Sequence, residues 1–204
     1  QLQKPSCRNQ LRNTQSVFVS FFRKAALMVR SIGSCNHVID WDSVIQDLEN
    51  VDPEFVGPSH KRGDNLPGLD SILDMWETAG YKTVHEGGTA GWDMFIPGKQ
   101  FDQSIVDTWN KYYKLECKNV WISRVWPGRF APVHWDVHDD EANLPECPRY
   151  HTHIGKPQWG HIFIVDNKCL YNRTQGETFR WENRKMWHAG TNCGTAPKYI
   201  WNAW

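Results

Sequence analysis

His134 and Asp136 stand two residues apart in the run RFAPVHWDV, which has the apolar, β-branched and aromatic character of a strand. Side chains two apart on a strand point to the same face. An imidazole and a carboxylate can therefore reach one metal ion from a single strand. A third ligand must then come from a distant strand, and His188 in RKMWHAG is the strongest candidate. Two histidines and a carboxylate on one face leave coordination positions open for an oxidant and a substrate, which is the pattern of non-haem Fe(II) sites. The same ligand types also serve hydrolytic zinc, so spacing alone leaves the metal open. An H-x-D tripeptide also arises by chance, and a single histidine is commonly just a hydrogen-bonded polar residue. His138 and His153 lie nearby and fit a supporting role better than ligation.

A second group of residues suits an anion. Lys198 lies ten positions past His188, in the strand-like run PKYIWNAW that follows a turn at Asn192–Pro197. Arg149 and His151 share one face of the run RYHTHIG. A dicarboxylate needs cations held on rigid elements, with arginine offering a planar fork and lysine a point charge. Taken one at a time, such residues are more often surface charges.

Two kinds of element must position these side chains. Up to about residue 115 the chain reads as mainly helical. Val17–Ile32 is apolar but carries Arg23, Lys24 and Arg30, as an amphipathic helix would. Ser43 and Gln46 have capping-box form ahead of Leu48. Leu69, Ile72, Leu73 and Trp76 fall on one helical face, and Gly80 is a natural stop. Ile105, Trp109, Tyr112 and Tyr113 suggest another helix. The stretches 51–68 and 86–100 are rich in glycine and polar residues and read as loops. From Cys117 onward short β-rich runs alternate with turns, among them Asp166-Asn167, which indicates an antiparallel sandwich or barrel. No linker separates the halves, so residues 1–115 and 116–204 are expected to form one compact α+β unit.

Composition narrows the classes. The 204 residues carry 23 basic and 23 acidic side chains, which argues against a broad nucleic-acid footprint. No apolar run approaches membrane-spanning length. The six cysteines show no C-x-x-C pair, and a chain this long needs no disulfide framework, so reduced thiols and a soluble, cytoplasmic protein are expected. Twelve tryptophans supply large buried areas to a core, and some of Trp126, Trp135, Trp187 and Trp201 are candidates for dry pocket walls.

The segment Ser123–Trp204 resembles the aspartyl/asparaginyl β-hydroxylase family of Fe(II)/2-oxoglutarate oxygenases. The resemblance rests on Ser123, Pro127-Gly128, His134 eleven residues after the serine, Arg149-x-His151, and His188 with a basic residue ten later. It implies a double-stranded β-helix (jelly-roll, cupin-like) core with an amino-terminal helical region packed against it. It also implies that His134 and His188 ligate iron, while Ser123, Arg149, His151 and Lys198 hold 2-oxoglutarate. Fe(II), 2-oxoglutarate and O2 would then act on a C–H bond of a small molecule, amino acid or peptide side chain. Two departures bear on these roles. Asp136 moves the chain toward the ordinary facial triad and away from halogenating relatives, which leave that position open. Lys198 stands where the family has arginine, which keeps the charge and loses the fork. The alternatives are a cupin-like metal enzyme that does not use 2-oxoglutarate, such as a direct dioxygenase or hydrolase, and a non-catalytic jelly-roll binding protein.

Overall fold

Eight strands follow one another from residue 120 to the carboxyl end of the sequence. They are β4 (Val120–Val125), β5 (Phe130–His134), β6 (Arg149–His153), β7 (His161–Val165), β8 (Lys168–Tyr171), β9 (Glu177–Trp181), β10 (His188–Asn192) and β11 (Lys198–Ala203). The computed structural model describes residues 29–56, 69–82, 87–135, 148–171, 174–181 and 186–204. Four strands form the order β9-β6-β11-β4 and the other four the order β5-β10-β7-β8, every pairing antiparallel. The chain crosses repeatedly between the two sheets, which makes the core a double-stranded β-helix, as expected. Asp166 and Asn167 both take positive φ (45° and 61°), the geometry of a tight two-residue hairpin between β7 and β8.

The amino-terminal half is less helical than its sequence reads. Three strands, β1 (Val29–Ser34), β2 (Glu54–Val56) and β3 (Trp92–Phe95), extend the first sheet to seven in the order β1-β9-β6-β11-β4-β3-β2. β1 therefore overturns the helical reading at the end of Val17–Ile32, and the earlier part of that run lies outside the described residues. β2 and β3 lie in stretches that read as loops. Flanking glycine and proline obscure their short runs, and pairing of β3 to β4 and of β2 to β3 supplies the stability that local pattern does not.

The helices are α1 (Trp41–Leu48), α2 (Leu69–Thr78) and α3 (Gln103–Tyr113). α1 begins three residues before the expected capping box. Asp40 is the N-cap, and its carboxylate accepts from the Ser43 backbone N–H at 3.2 Å. α2 stops at Gly80, whose φ of +79° suits glycine, with Tyr81 N–H donating to the Trp76 carbonyl at 3.0 Å.

The outward face of the seven-stranded sheet carries the main core, where Ile122, Tyr150 and Trp201 meet Trp41, Leu48 and Trp109 from α1 and α3. Trp201 is fully buried, with ring centroids of Trp41, Trp109 and Phe101 at 5.6, 5.7 and 5.8 Å. Trp201→Ala is expected to cost about 3–5 kcal/mol in urea unfolding, through lost contacts and the cavity left behind. A cost under about 1 kcal/mol would contradict this packing. Because side chains alternate, Lys198, Ile200, Asn202 and Trp204 point the other way, into the space between the sheets.

Candidate metal and anion site

β5 and β10 are neighbours, and their register places His188 directly opposite His134. The two imidazoles are buried, with ring centroids 4.3 Å apart. Each ring is oriented by its own chain. His134 Nδ1 donates to the Pro132 carbonyl at 2.7 Å, and His188 Nδ1 donates to the Met186 carbonyl at 3.0 Å. A carbonyl oxygen can only accept, so Nδ1 carries a proton in both residues, and Nε2 is the atom a neutral ring would offer a metal. That is the tautomer a metal-binding imidazole requires, with the orienting hydrogen bond already made. Aromatic rings hold them from the sides. Trp76 of α2 meets His134 edge-on at 5.3 Å, and Trp181 lies 5.9 Å from His188.

Asp136, the carboxylate expected to complete the triad, lies outside the described residues, as do His138 and most of the loop 139–148. Among the described residues no group of three histidine, cysteine or acidic side chains converges on one point. The donor set that is described fits a divalent metal through two Nε2 atoms with other positions left open.

A cavity opens beside the two imidazoles. It is lined by His134, His188, Ser123, Arg149 and His151, so five of the seven residues singled out from sequence share one space. Arg149 is buried, and its guanidinium carbon lies 3.6 Å from the Trp204 ring centroid, a cation–π contact that replaces lost hydration. His151 stacks on Phe163 at 3.9 Å with the planes 15° apart. Burial first, then the nearby Lys198 charge, holds the His151 imidazole well below its ordinary pKa, so it is neutral.

Lys198 sits one layer behind the cavity wall. Its ammonium is fully buried and donates to the Ile162 carbonyl at 2.7 Å. A methyl group placed on Gly190, which lines the cavity, would lie 3.8 Å from Lys198 Nζ. The charge is thus just beneath the floor. Burial pulls its pKa down to about 7. His153 lies on the same side, 5.5 Å from His161, and burial holds it well below its ordinary range too. It packs behind the cavity, as its place on the face of His151 suggested. Asn192 braces the turn ahead of Lys198: its side-chain amide donates to the Val125 and Ala196 carbonyls, each at 2.8 Å.

Other site residues were missed. The tryptophans of the cavity are Trp92, Trp121, Trp181 and Trp204. Of the four expected as walls, Trp201 is in the core on the opposite sheet face, and Trp126 and Trp187 are exposed at 37% and 46%. Trp135 packs edge-on against Trp187 at 4.2 Å and is not among the lining residues. Asn202 and Trp204 could have been found by counting in twos from Lys198 along β11. Trp92 could not, because β3 was read as loop. Among the described residues, Cys35, Cys169 and Cys193 are free thiols. No helix among the described residues is long and apolar enough to cross a membrane.

No protein-family model and no curated protein matches this sequence. Several solved structures are similar in shape. A Trichoplax adhaerens prolyl hydroxylase in complex with a hypoxia-inducible-factor peptide fragment is 10% identical with a TM-score of 0.42, covering 83% of this chain and 94% of that one. A Pseudomonas putida prolyl-4-hydroxylase is 14% identical with a TM-score of 0.40, covering 80% and 97%. An oxidoreductase of the 2OG-Fe(II) oxygenase family from Burkholderia pseudomallei is 12% identical with a TM-score of 0.39, covering 79% and 76%. The fold assignment stands on the strand order itself.

Proposed function

We propose that this chain is an Fe(II)- and 2-oxoglutarate-dependent oxygenase that hydroxylates an unactivated C–H bond of a small molecule or a peptide side chain. The observation that carries this reading is the pairing of His134 and His188 across β5 and β10, both as Nδ1–H tautomers, beside a cavity with Ser123, Arg149 and His151.

In this reading the Nε2 atoms of His134 and His188, with the Asp136 carboxylate, hold the iron. Bound there, iron supplies the oxidative chemistry, in which O2 converts 2-oxoglutarate to succinate and CO2 and leaves one oxygen atom for the substrate. The protein's own share is binding, orientation and dryness. Arg149 offers hydrogen-bond donors and charge to a carboxylate, and the Trp204 ring supports the guanidinium through a cation–π contact. His151, neutral and fixed by stacking on Phe163, offers a ring nitrogen without adding a second charge. Lys198 supplies positive potential from beneath Gly190. The indoles of Trp92, Trp121 and Trp181 limit water around the reacting centre. The resemblance to aspartyl/asparaginyl β-hydroxylases points to an amino acid, an amino-acid derivative or a peptide side chain as substrate.

The test needs no substrate. Protein purified without chelator is loaded with Fe(II) and incubated with ascorbate and 2-oxoglutarate in air. The expected result is one iron per chain and slow uncoupled succinate, followed by NMR. Stoichiometric iron without succinate removes the cosubstrate assignment and favours a direct dioxygenase or hydrolase. Absence of stoichiometric metal removes the enzyme reading altogether.

A further inference from the structure

We propose that Asn202 and Trp121 act through Ser123, locking its hydroxyl as a hydrogen-bond donor for the cosubstrate carboxylate; this rests on the oxygenase reading above. A serine hydroxyl has one proton to give and two lone pairs to fill. Ser123 is 6% exposed and lines the cavity. Trp121 Nε1 donates to Ser123 Oγ at 3.0 Å, and Asn202 Nδ2 donates to the same oxygen at 3.1 Å. Both lone pairs are therefore occupied from inside the sheet. The proton is what remains for a ligand. A group that can accept, such as a carboxylate oxygen, satisfies it, whereas an ammonium or amide N–H meets no acceptor at that atom.

The register explains how two donors reach one oxygen. On paired β4 and β11, Ser123 lies opposite Ile200, and Trp121 lies opposite Asn202. Trp121 is two residues from Ser123 on the same face, and Asn202 is its diagonal neighbour. Trp204 meets Trp121 edge-on, with centroids 4.7 Å apart and planes at 84°, which holds the indole in place. Asn202 is also paired with His151 on β6, so one side chain stands between two cosubstrate-facing strands. Asn202 and Trp121 are positioning residues for the cosubstrate in this arrangement, since both reach it through the serine; Trp121 keeps its place in the cavity wall besides. The indole can only donate, so its direction is unambiguous. For Asn202 the direction matters: turned about, its amide oxygen would take the serine proton and leave nothing for a ligand.

The experiment measures 2-oxoglutarate dissociation constants under anaerobic conditions, using the iron-to-2-oxoglutarate charge-transfer band of the Fe(II)-loaded protein. Wild type is compared with Ser123→Ala, Asn202→Ala, Asn202→Asp, Trp121→Phe and the double variant Ser123→Ala/Asn202→Ala. Asn202→Ala is expected to weaken binding by about tenfold, as loss of one directed bond to a charged group would. Asn202→Asp is expected to weaken it further although its size is unchanged, because its carboxylate takes the serine proton and faces an anion. The double variant is expected to bind no worse than Ser123→Ala alone. Additive losses overturn the proposal, and so does an Asn202→Asp protein that binds like wild type. Should Asn202→Ala fail to fold in a thermal melt, Trp121→Phe still removes one donor with the ring retained, and an unchanged affinity there overturns the proposal. Failure of wild type to bind 2-oxoglutarate would instead remove the oxygenase reading, and this inference with it. Binding by Ser123→Ala equal to wild type would remove this inference alone.

Discussion

Protein in which His188 is replaced by alanine is expected to leave purification without stoichiometric iron and to form no succinate above a metal-free control. The same is expected of His134→Ala. Changes to groups that merely orient a ligand already weaken metal binding by roughly 10–100-fold. Removing one of two paired imidazoles therefore costs more, and at least about a hundredfold in iron affinity is expected. The effect is direct, because the two rings face each other across one strand pair, and His151, which shares the cavity, is held on β6 by stacking on Phe163. His153 and His161 lie together behind the cavity, with neither lining it. Metal content by mass spectrometry and succinate by NMR are the two readouts. Retention of one iron per chain by a variant would remove the residue replaced in it from the metal site.

Lys198→Met is expected to stabilise the protein while it weakens 2-oxoglutarate binding. Lys198 is fully buried, and burial draws its pKa from 10.5 to about 7. The unfolded chain therefore holds a proton that the folded chain has lost between about pH 7 and 10.5. Stability rises with pH across that window, and the full penalty of the buried charge is present below it. The shift corresponds to a few kcal/mol, on the order of 1.4 per pH unit. The His151, His153 and His161 rings also face this region and are themselves held low by burial, and Cys169 and Cys193 partly offset the penalty by raising the lysine pKa. Methionine matches the stem and removes the charge, so wild type should gain stability between pH 7 and 10 while the variant stays flat. Denaturant unfolding at a series of pH values checks this. Cosubstrate binding moves the other way: an arriving dianion returns a proton to Lys198, and its loss is expected to weaken 2-oxoglutarate binding by about a hundredfold, as for an uncompensated charge partner. A variant as acid-sensitive as wild type, or with unchanged affinity, would show that the ammonium plays neither part.

The candidate site was legible from sequence wherever strand periodicity applied. His134 and His188 were chosen from different strands, and the fold sets them opposite each other. Arg149 and His151 were placed on one face by counting in twos, and both line the cavity. Asn192 was expected to brace the turn before Lys198, and it does so with both amide hydrogens. The helices at 69–78 and 103–113 followed from apolar residues three and four apart. Misreadings came where local pattern is a weak guide. β3 is four residues inside a glycine-rich stretch, and β1 continues an apolar run that suits a helix equally well. Short strands are held by their neighbours more than by their own composition, so nothing within them announces the pairing.

The ligand types, the alternating runs that become β4–β11 and the absence of any charge surplus were all properties of the chain alone. Tertiary structure decided which imidazole faces which, that Trp201 serves the core while Trp204 meets Arg149, and that Lys198 lies beneath the cavity floor. The reason is physical. Periodicity assigns a side chain to a face, but register and sheet packing, set by contacts between residues far apart in sequence, determine what that face meets.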